Sequence, residues 1–422
     1  MTKILIISFT FPPYDGIGGR RWAKFAKYLN RMGNDVCVIA AMKSSKLASS
    51  QWLKDIEEYK NKVLYVKPDY PEILMRRPSG IYEKLLYRWS LYRVKRVYRG
   101  VNYYDHSTSF GRKIIPIIRK KVNEGYKNII VSIGPFHMAW ELLQIKKEFP
   151  DIHLIVDYRD PWADNKTSFG FTAMDGEVLR VENDMETEVV SGYDRVWAVS
   201  TQMIDNLMTK VSLDASDKFM VLPNGFDIED IKDLVGDRHM LPDEVSVGKY
   251  IFAFSGTLYN KTKELFEEFI IALNMLKEKR IDLYQKCIFQ FCGEVPDWFD
   301  SLTSGHNNIR HLGNKKLSES LDLASRASVL MLFLTDDLNY SRSTKFYESL
   351  ALRKPILVFS KEGDTMQFVE QNKLGYGLRK GYVNADLLRI LELMENGRME
   401  FNSLYELGEY EVSNLTRRLV FR

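Results

Sequence analysis

Two short segments, far apart in a chain of 422 residues, carry residue types that could handle a phosphate. The first, Phe11-Pro12-Pro13-Tyr14-Asp15-Gly16-Ile17-Gly18-Gly19-Arg20, follows the apolar run Ile4-Leu5-Ile6-Ile7 and precedes Trp22, Phe25, Ala26 and Leu29 at helical spacing. A strand, a glycine turn and a helix in that order aim free N–H groups and a positive helix end at whatever lies beyond the strand. The second segment, Lys345-Phe346-Tyr347-Glu348, places a cation and a carboxylate three residues apart, on one face of a helix start. That pairing suits a nucleotide diphosphate and its ribose. The glycine turn is not the GxGxxG dinucleotide fingerprint, because the third glycine is missing and Arg20-Arg21 follow at once. Alone, it is equally a tight strand-to-helix turn.

Other strand ends add candidates. Val131-Ser132-Ile133-Gly134-Pro135-Phe136-His137 ends an apolar run in a Gly-Pro turn, with His137 where a helix begins, either projecting from the sheet edge or packed as an ordinary histidine. Val156-Asp157-Tyr158-Arg159-Asp160-Pro161-Trp162 follows the next run. Asp160 there is a candidate for orienting an acceptor, or a helix N-cap with Pro161 in first position, while Asp157 can pair with Arg159. Pro223-Asn224-Gly225 with Asp227 reads as a structural turn. Further along, Phe254-Ser255-Gly256-Thr257 ends in small residues that let a ligand approach the backbone, with Lys261 and Lys263 downstream. Thr335-Asp336-Asp337 lacks the Asp-x-Asp spacing that lets two carboxylates reach one divalent ion, and no catalytic metal is expected.

The elements that must position these residues are short apolar runs alternating with longer helical patterns. Ile4–Ile7, Asp35–Ala40, Val63–Val66, Asn128–Val131, His153–Val156 and Arg195–Val199 precede an acidic irregular stretch. Runs beginning at Tyr250, Ile288, Ile309, Val329 and Pro355 follow it. This alternation predicts an α/β chain with helices on both faces of mostly parallel sheets. The length fits about two domains. The expected division is residues 1–228, a linker at 229–248, a second doubly wound domain at 249–400, and a helical segment at 401–422 returning to the first. Ligands of such sheets bind beyond the carboxyl ends of the strands.

Bulk composition narrows the classes. Hydrophobic residues make up 45% and charged residues 27%, as in a folded globular protein, and a net charge of +4 excludes a chain built throughout for nucleic acid. Cys37, Cys287 and Cys292 lack metal-ligand spacing and read as buried thiols. A strand pattern begins at Lys3, and no apolar run approaches the roughly 20 residues of a membrane span. A cytoplasmic protein is expected, with any membrane contact peripheral.

Taken together, the glycine turn, the Ser132-x-Gly134-Pro135-Phe136-His137 stretch, the Asp157-x-Arg159-Asp160-Pro161-Trp162 segment and Lys345-x-x-Glu348 resemble the motifs of the family 4 retaining glycosyltransferases, over nearly the whole chain. The resemblance implies a GT-B fold, two Rossmann-like domains facing across a cleft. It implies transfer of a sugar from a nucleotide-diphosphate donor to a glycan or lipid-linked acceptor in bacterial surface-polysaccharide synthesis, without a cofactor. It puts Gly18, Gly19, Arg20, Gly256, Thr257, Lys261, Lys345 and Glu348 around the donor, His137 beside the donor sugar, and Asp160 near the acceptor. Two departures stand out. Thr257 occupies the position of the family's arginine, and Tyr340 that of the first of two carboxylates spaced eight apart, leaving only Glu348. A sugar-nucleotide epimerase on the same fold, with His137 as acid/base, and a non-catalytic nucleotide-sugar-binding subunit are the rival readings.

One segment stands outside these motifs. Arg76, Arg77, Lys84, Arg88, Arg93, Lys95, Arg96 and Arg99 face the single acid Glu83, interleaved with Tyr82, Leu85, Leu86, Tyr87, Trp89, Tyr92 and Tyr98. It suits an anionic membrane surface, or equally a solvated helix packed on the first domain.

Overall fold

The computed structural model describes residues 1–14, 17–42, 50–75, 78–163, 176–234, 248–335, 340–419 and 421. Of the residues singled out above, Asp15, Gly16, Arg76, Arg77, Asp336 and Asp337 lie outside these, as does 235–247 of the expected linker. The chain forms two compact units, Met1–Leu222 with Thr416–Arg422, and Pro223–Leu415.

The first unit is built on strands β1 (Lys3–Ser8), β2 (Asp35–Ala41), β3 (Val63–Val66), β4 (Asn128–Ile133), β5 (His153–Tyr158), β6 (Arg195–Ala198) and β7 (Phe219–Val221). They pair in parallel in the order β3-β2-β1-β4-β5-β6-β7. Ile4 to Ile7 are wholly buried, as expected of a parallel strand covered on both faces. The second unit carries β8 (Tyr250–Ser255), β9 (Cys287–Cys292), β10 (Ile309–His311), β11 (Val329–Phe333), β12 (Ile356–Ser360) and β13 (Gly375–Arg379), parallel in the order β10-β9-β8-β11-β12-β13. One side of this sheet is filled by Phe252, Phe266, Phe269, Phe289, Phe291, Phe333 and Phe359. The Phe333 and Phe359 rings stack at 4.3 Å.

Strand order reverses between β1 and β4 in the first unit and between β8 and β11 in the second. At such a switch point adjacent connections leave in opposite directions, and the crevice beyond the strand ends receives ligands. Gly18, Gly134 and His137 follow β1 and β4, while Gly256, Lys345 and Glu348 follow β8 and β11.

Two strands, β7 and β13, were not anticipated. The division between units also falls at Leu222, ahead of the expected residue 228. Phe226 bridges to Glu411 and exchanges backbone hydrogen bonds with Tyr410 (3.1 Å) and Val412 (2.9 Å), which ties Pro223–Phe226 to the second unit. The returning segment is shorter than 401–422. Arg353 holds the carbonyls of Ser403 and Tyr405 at 2.8 and 2.7 Å, so only Thr416–Arg422 joins the first unit. Cys37, Cys287 and Cys292 are free and buried. Among the described residues no helix is long and apolar enough to cross a membrane.

Candidate functional site

The second unit brings Gly256, Lys345 and Glu348 together. Lys345 lies in the first turn of the Thr344–Ala351 helix, whose N-cap is Ser343, its hydroxyl accepting the Phe346 N–H at 3.3 Å. From there the lysine side chain runs across the bare backbone of Gly256 at the end of β8. A Cβ built on Gly256 would stand 2.0 Å from Lys345 Nζ. Gly256 also has φ +141, which side-chain-bearing residues rarely adopt. Burial pushes the Lys345 ammonium below its usual pKa, opposed by the Glu348 carboxylate. Glu348 is buried one helical turn on. Ser255, Ser320, Lys345, Glu348 and Ser349 give polar groups to a cavity of about 20 Å³, room for one water molecule.

The strand ends of this unit are unusually bare. Gly256 donates to the carbonyl of Cys292 at 2.8 Å, and Gly293 donates to that of Gly313 at 2.9 Å. A Cβ on Gly293 would meet the Gly256 carbonyl oxygen at 2.1 Å. Three neighbouring strands, β8, β9 and β10, thus end in a glycine floor. The sequence held the signal, a glycine after each apolar run, but only Gly256 was singled out.

The remaining donor candidates of this unit follow β8 in the chain. Thr257 is half-buried just past Gly256. Lys261 is exposed in the Asn260–Thr262 turn leading into the Lys263–Lys279 helix. Near the half-buried Tyr340, Arg342 is committed to Asp364 at 2.8 Å and to the Phe368 ring at 3.9 Å.

In the first unit the cation at the switch point is Arg159. A Cβ on Gly18 would lie 1.7 Å from Arg159 Nη1, and one on Gly134 would lie 2.9 Å from Nη2. Arg159 donates to Asp160 at 2.9 Å and to the Gly134 carbonyl at 3.0 Å. Its side chain is 18% exposed. The pairing expected between Asp157 and Arg159 does not form. Asp157 is fully buried and accepts from Arg21 at 2.9 and 3.1 Å and from the Trp22 indole at 2.7 Å. This frees Arg159 for the strand end. The described residues 161–163 are not helical, and the Trp162 indole packs on Phe136 (5.5 Å) and donates to Glu182 at 2.7 Å. Asp160 accepts from the Arg159 guanidinium.

Gly19 packs against the Phe11 backbone, where its Cβ would come within 3.2 Å. Arg20 is buried with its guanidinium 4.6 Å from the Trp52 ring.

His137 is 1% exposed. Its Nε2 meets both oxygens of Glu182 at 2.9 Å, and its Nδ1 meets Thr108 Oγ1 at 2.9 Å. Both nitrogens are taken, and the ring has no edge open to a sugar. Burial works against its proton, but the charges of Asp105 and Glu182 and the Glu182 hydrogen bond win and raise its pKa. Asp105 in turn accepts from the backbone of Phe136 at 2.6 Å and of His137 at 3.2 Å, which fixes the turn after β4. Among the described residues no group of three or more metal-ligating side chains is assembled.

No protein-family model and no curated protein matches the sequence. Solved structures match over nearly the whole chain. A sucrose-phosphate synthase from Thermosynechococcus elongatus aligns with a TM-score of 0.58 at 13% identity, over 99% of this chain and 93% of that one. A Listeria monocytogenes protein assigned as a UDP-N-acetylglucosamine 2-epimerase aligns with 0.56 at 11% identity, over 99% and 94%. A structure from E. coli, described as trehalose-6-phosphate bound with UDP-2-fluoro glucose, aligns with 0.58 at 11% identity, over 99% and 97%. At such identities the likeness is one of fold. Two parallel Rossmann-like sheets, of seven and six strands, place the chain in the GT-B class.

Proposed function

We propose that this chain is a metal-independent glycosyltransferase of the family 4 type, moving a sugar from a nucleotide-diphosphate donor to a glycan or lipid-linked acceptor with retention, in cytoplasmic surface-polysaccharide synthesis. The observation that carries the reading is Lys345 seated on the bare Gly256 backbone one turn from the buried Glu348. As the bond from anomeric carbon to phosphate oxygen breaks, negative charge grows on the leaving diphosphate. A half-buried ammonium, poorly solvated before the ligand arrives, acts on that charge more strongly than an exposed one. Glu348 accepts hydrogen bonds from the ribose hydroxyls. The acceptor oxygen bonds to the anomeric carbon on the face the phosphate leaves, and its proton passes to a phosphate oxygen. No protein nucleophile is needed. Lys345 takes the share of the family's arginine, which Thr257 does not supply. In the first unit Arg159 with Asp160 serves the acceptor, and His137 acts as a positioning residue for the turn after β4.

The UDP-2-fluoro glucose complex and the sucrose-phosphate synthase among the fold relatives support a nucleotide-sugar ligand. The test is incubation with a panel of nucleotide sugars and candidate acceptors. Release of nucleoside diphosphate supports transfer. Conversion of the sugar nucleotide without release assigns the chain to the epimerases, and binding without turnover makes it a binding subunit.

A further inference from the structure

The Gly80–Val97 helix is built inside out for a helix in water. Only Ser90 and Val94 of its 18 residues are buried. Ile81, Leu85, Trp89 and Tyr92, at steps of four, four and three, line the opposite face, with Tyr82 beside them. These five side chains are between 56% and 80% exposed. A surface helix presents its polar face to water, and a run of outward rings and aliphatics on one helix marks a contact.

The charges say with what. Lys84, Arg88, Arg93, Lys95, Arg96 and Arg99 are all exposed, and none forms an ion pair among the described residues. By helical spacing Lys84, Arg88 and Lys95 fall on one flank of the apolar stripe and Arg93 on the other. The helix's sole acid, Glu83, turns back onto the Ser79 N–H and hydroxyl at 2.7 and 2.9 Å. Arg93 stacks over Trp89 at 4.9 Å, which holds a cation at the edge of the stripe. An apolar, aromatic stripe between unpaired cations is the pattern of a helix lying in a bilayer interface.

We propose that this helix docks the chain on an anionic phospholipid surface, with Ile81, Tyr82, Leu85, Trp89 and Tyr92 at the headgroup level and the flanking cations on lipid phosphates. The proposal stands on the first unit alone and does not depend on the transfer reaction. The test is sedimentation of the full chain with phosphatidylcholine vesicles, with and without phosphatidylglycerol, in the absence of any nucleotide sugar. Binding should require the anionic lipid and weaken with salt as the Debye length falls from about 8 Å. Each cation removed should cost about fivefold, so the Arg93→Gln, Lys95→Gln, Arg96→Gln, Arg99→Gln variant should bind on the order of several hundredfold more weakly. Leu85→Ser with Trp89→Ser should also lose binding while keeping the circular dichroism of the parent, since neither side chain is buried. No binding to anionic vesicles, or binding unchanged in both variants, overturns the proposal. So does concentration-dependent self-association abolished by Leu85→Ser with Trp89→Ser, which would assign the stripe to a second copy of the chain.

Discussion

Gly256→Ala tests the proposed donor site through a residue with no side chain to lose. The new Cβ would lie 2.0 Å from Lys345 Nζ and 2.7 Å from Cε, whereas ordinary contact begins at 3.4 Å. The ammonium must retreat by 3.4 − 2.0, about 1.4 Å. Groups acting on a transition state lose on the order of a hundredfold in rate for a misplacement of about 1 Å. That is about 2.7 kcal/mol in activation free energy. The φ of +141 adds backbone strain, about 1–3 kcal/mol, which appears in folding stability. Denaturant unfolding reads the second effect, and nucleoside diphosphate release at saturating donor reads the first. We expect kcat of Gly256→Ala to fall about a hundredfold and that of Lys345→Ala at least as far. The double variant should turn over no more slowly than Lys345→Ala, because the displaced group is already gone. Losses that multiply in the double variant, or a Gly256→Ala enzyme with parental kcat, would refute the assignment of Lys345 to the leaving phosphate.

Glu348→Ala should weaken binding of the nucleoside diphosphate by about 1.5–3 kcal/mol, the worth of a charge-assisted hydrogen bond, and unchanged calorimetric affinity would remove Glu348 from the ribose. Turnover should persist in excess chelator, since Lys345 rather than a divalent ion meets the diphosphate; activity lost to chelator and restored by manganese or magnesium would contradict this. For pH, the raised pKa of His137 makes its contribution to stability full below the unfolded value of about 6.5 and lost as pH rises through the folded one. His106, whose pKa burial lowers, acts with the opposite sign below about 6.5, so the two windows separate. His137→Gln should flatten the decline of thermal stability above that pH, and an unaltered slope would show that the ring is neutral throughout.

Much of the architecture was legible because parallel strands buried on both faces are continuous apolar runs. Val63–Val66 appears as read, Asp35–Ala40 is extended by one residue at Ala41, and the run from Ile309 to Gly313 is a strand only as far as His311. The missed strands fail for identifiable reasons. In β13, Gly375-Tyr376-Gly377-Leu378-Arg379 has no apolar run, and its glycines serve close approach instead: a Cβ on Gly375 would meet the Ile356 carbonyl oxygen at 1.9 Å, and one on Gly377 the Met366 sulfur at 2.6 Å. β7 is only three residues long and half-buried. His137 was legible as a strand-end histidine, open or packed, but its partners were not. Its environment depends on Asp105 and Glu182, which no spacing rule connects to it. The same holds for Asp157, whose partner Arg21 lies in another element.

The two units repeat one device. In each, a long cationic side chain lies across bare glycine at the switch point of a parallel sheet, Lys345 on Gly256 and Arg159 on Gly18 and Gly134. Glycine there removes the Cβ that would lift the cation off the strand ends, and a carboxylate lies near each cation: Glu348 one turn from Lys345, Asp160 adjacent to Arg159. A lysine or arginine at a helix start or strand end is common in sequence, and so is a glycine after a strand. Neither is informative until the fold lays one on the other. The Lys345 site was readable because cation and carboxylate share one helix turn. The Arg159 site was not, because its glycines come from β1 and β4 and its own residue from β5, three strands joined only by the sheet order.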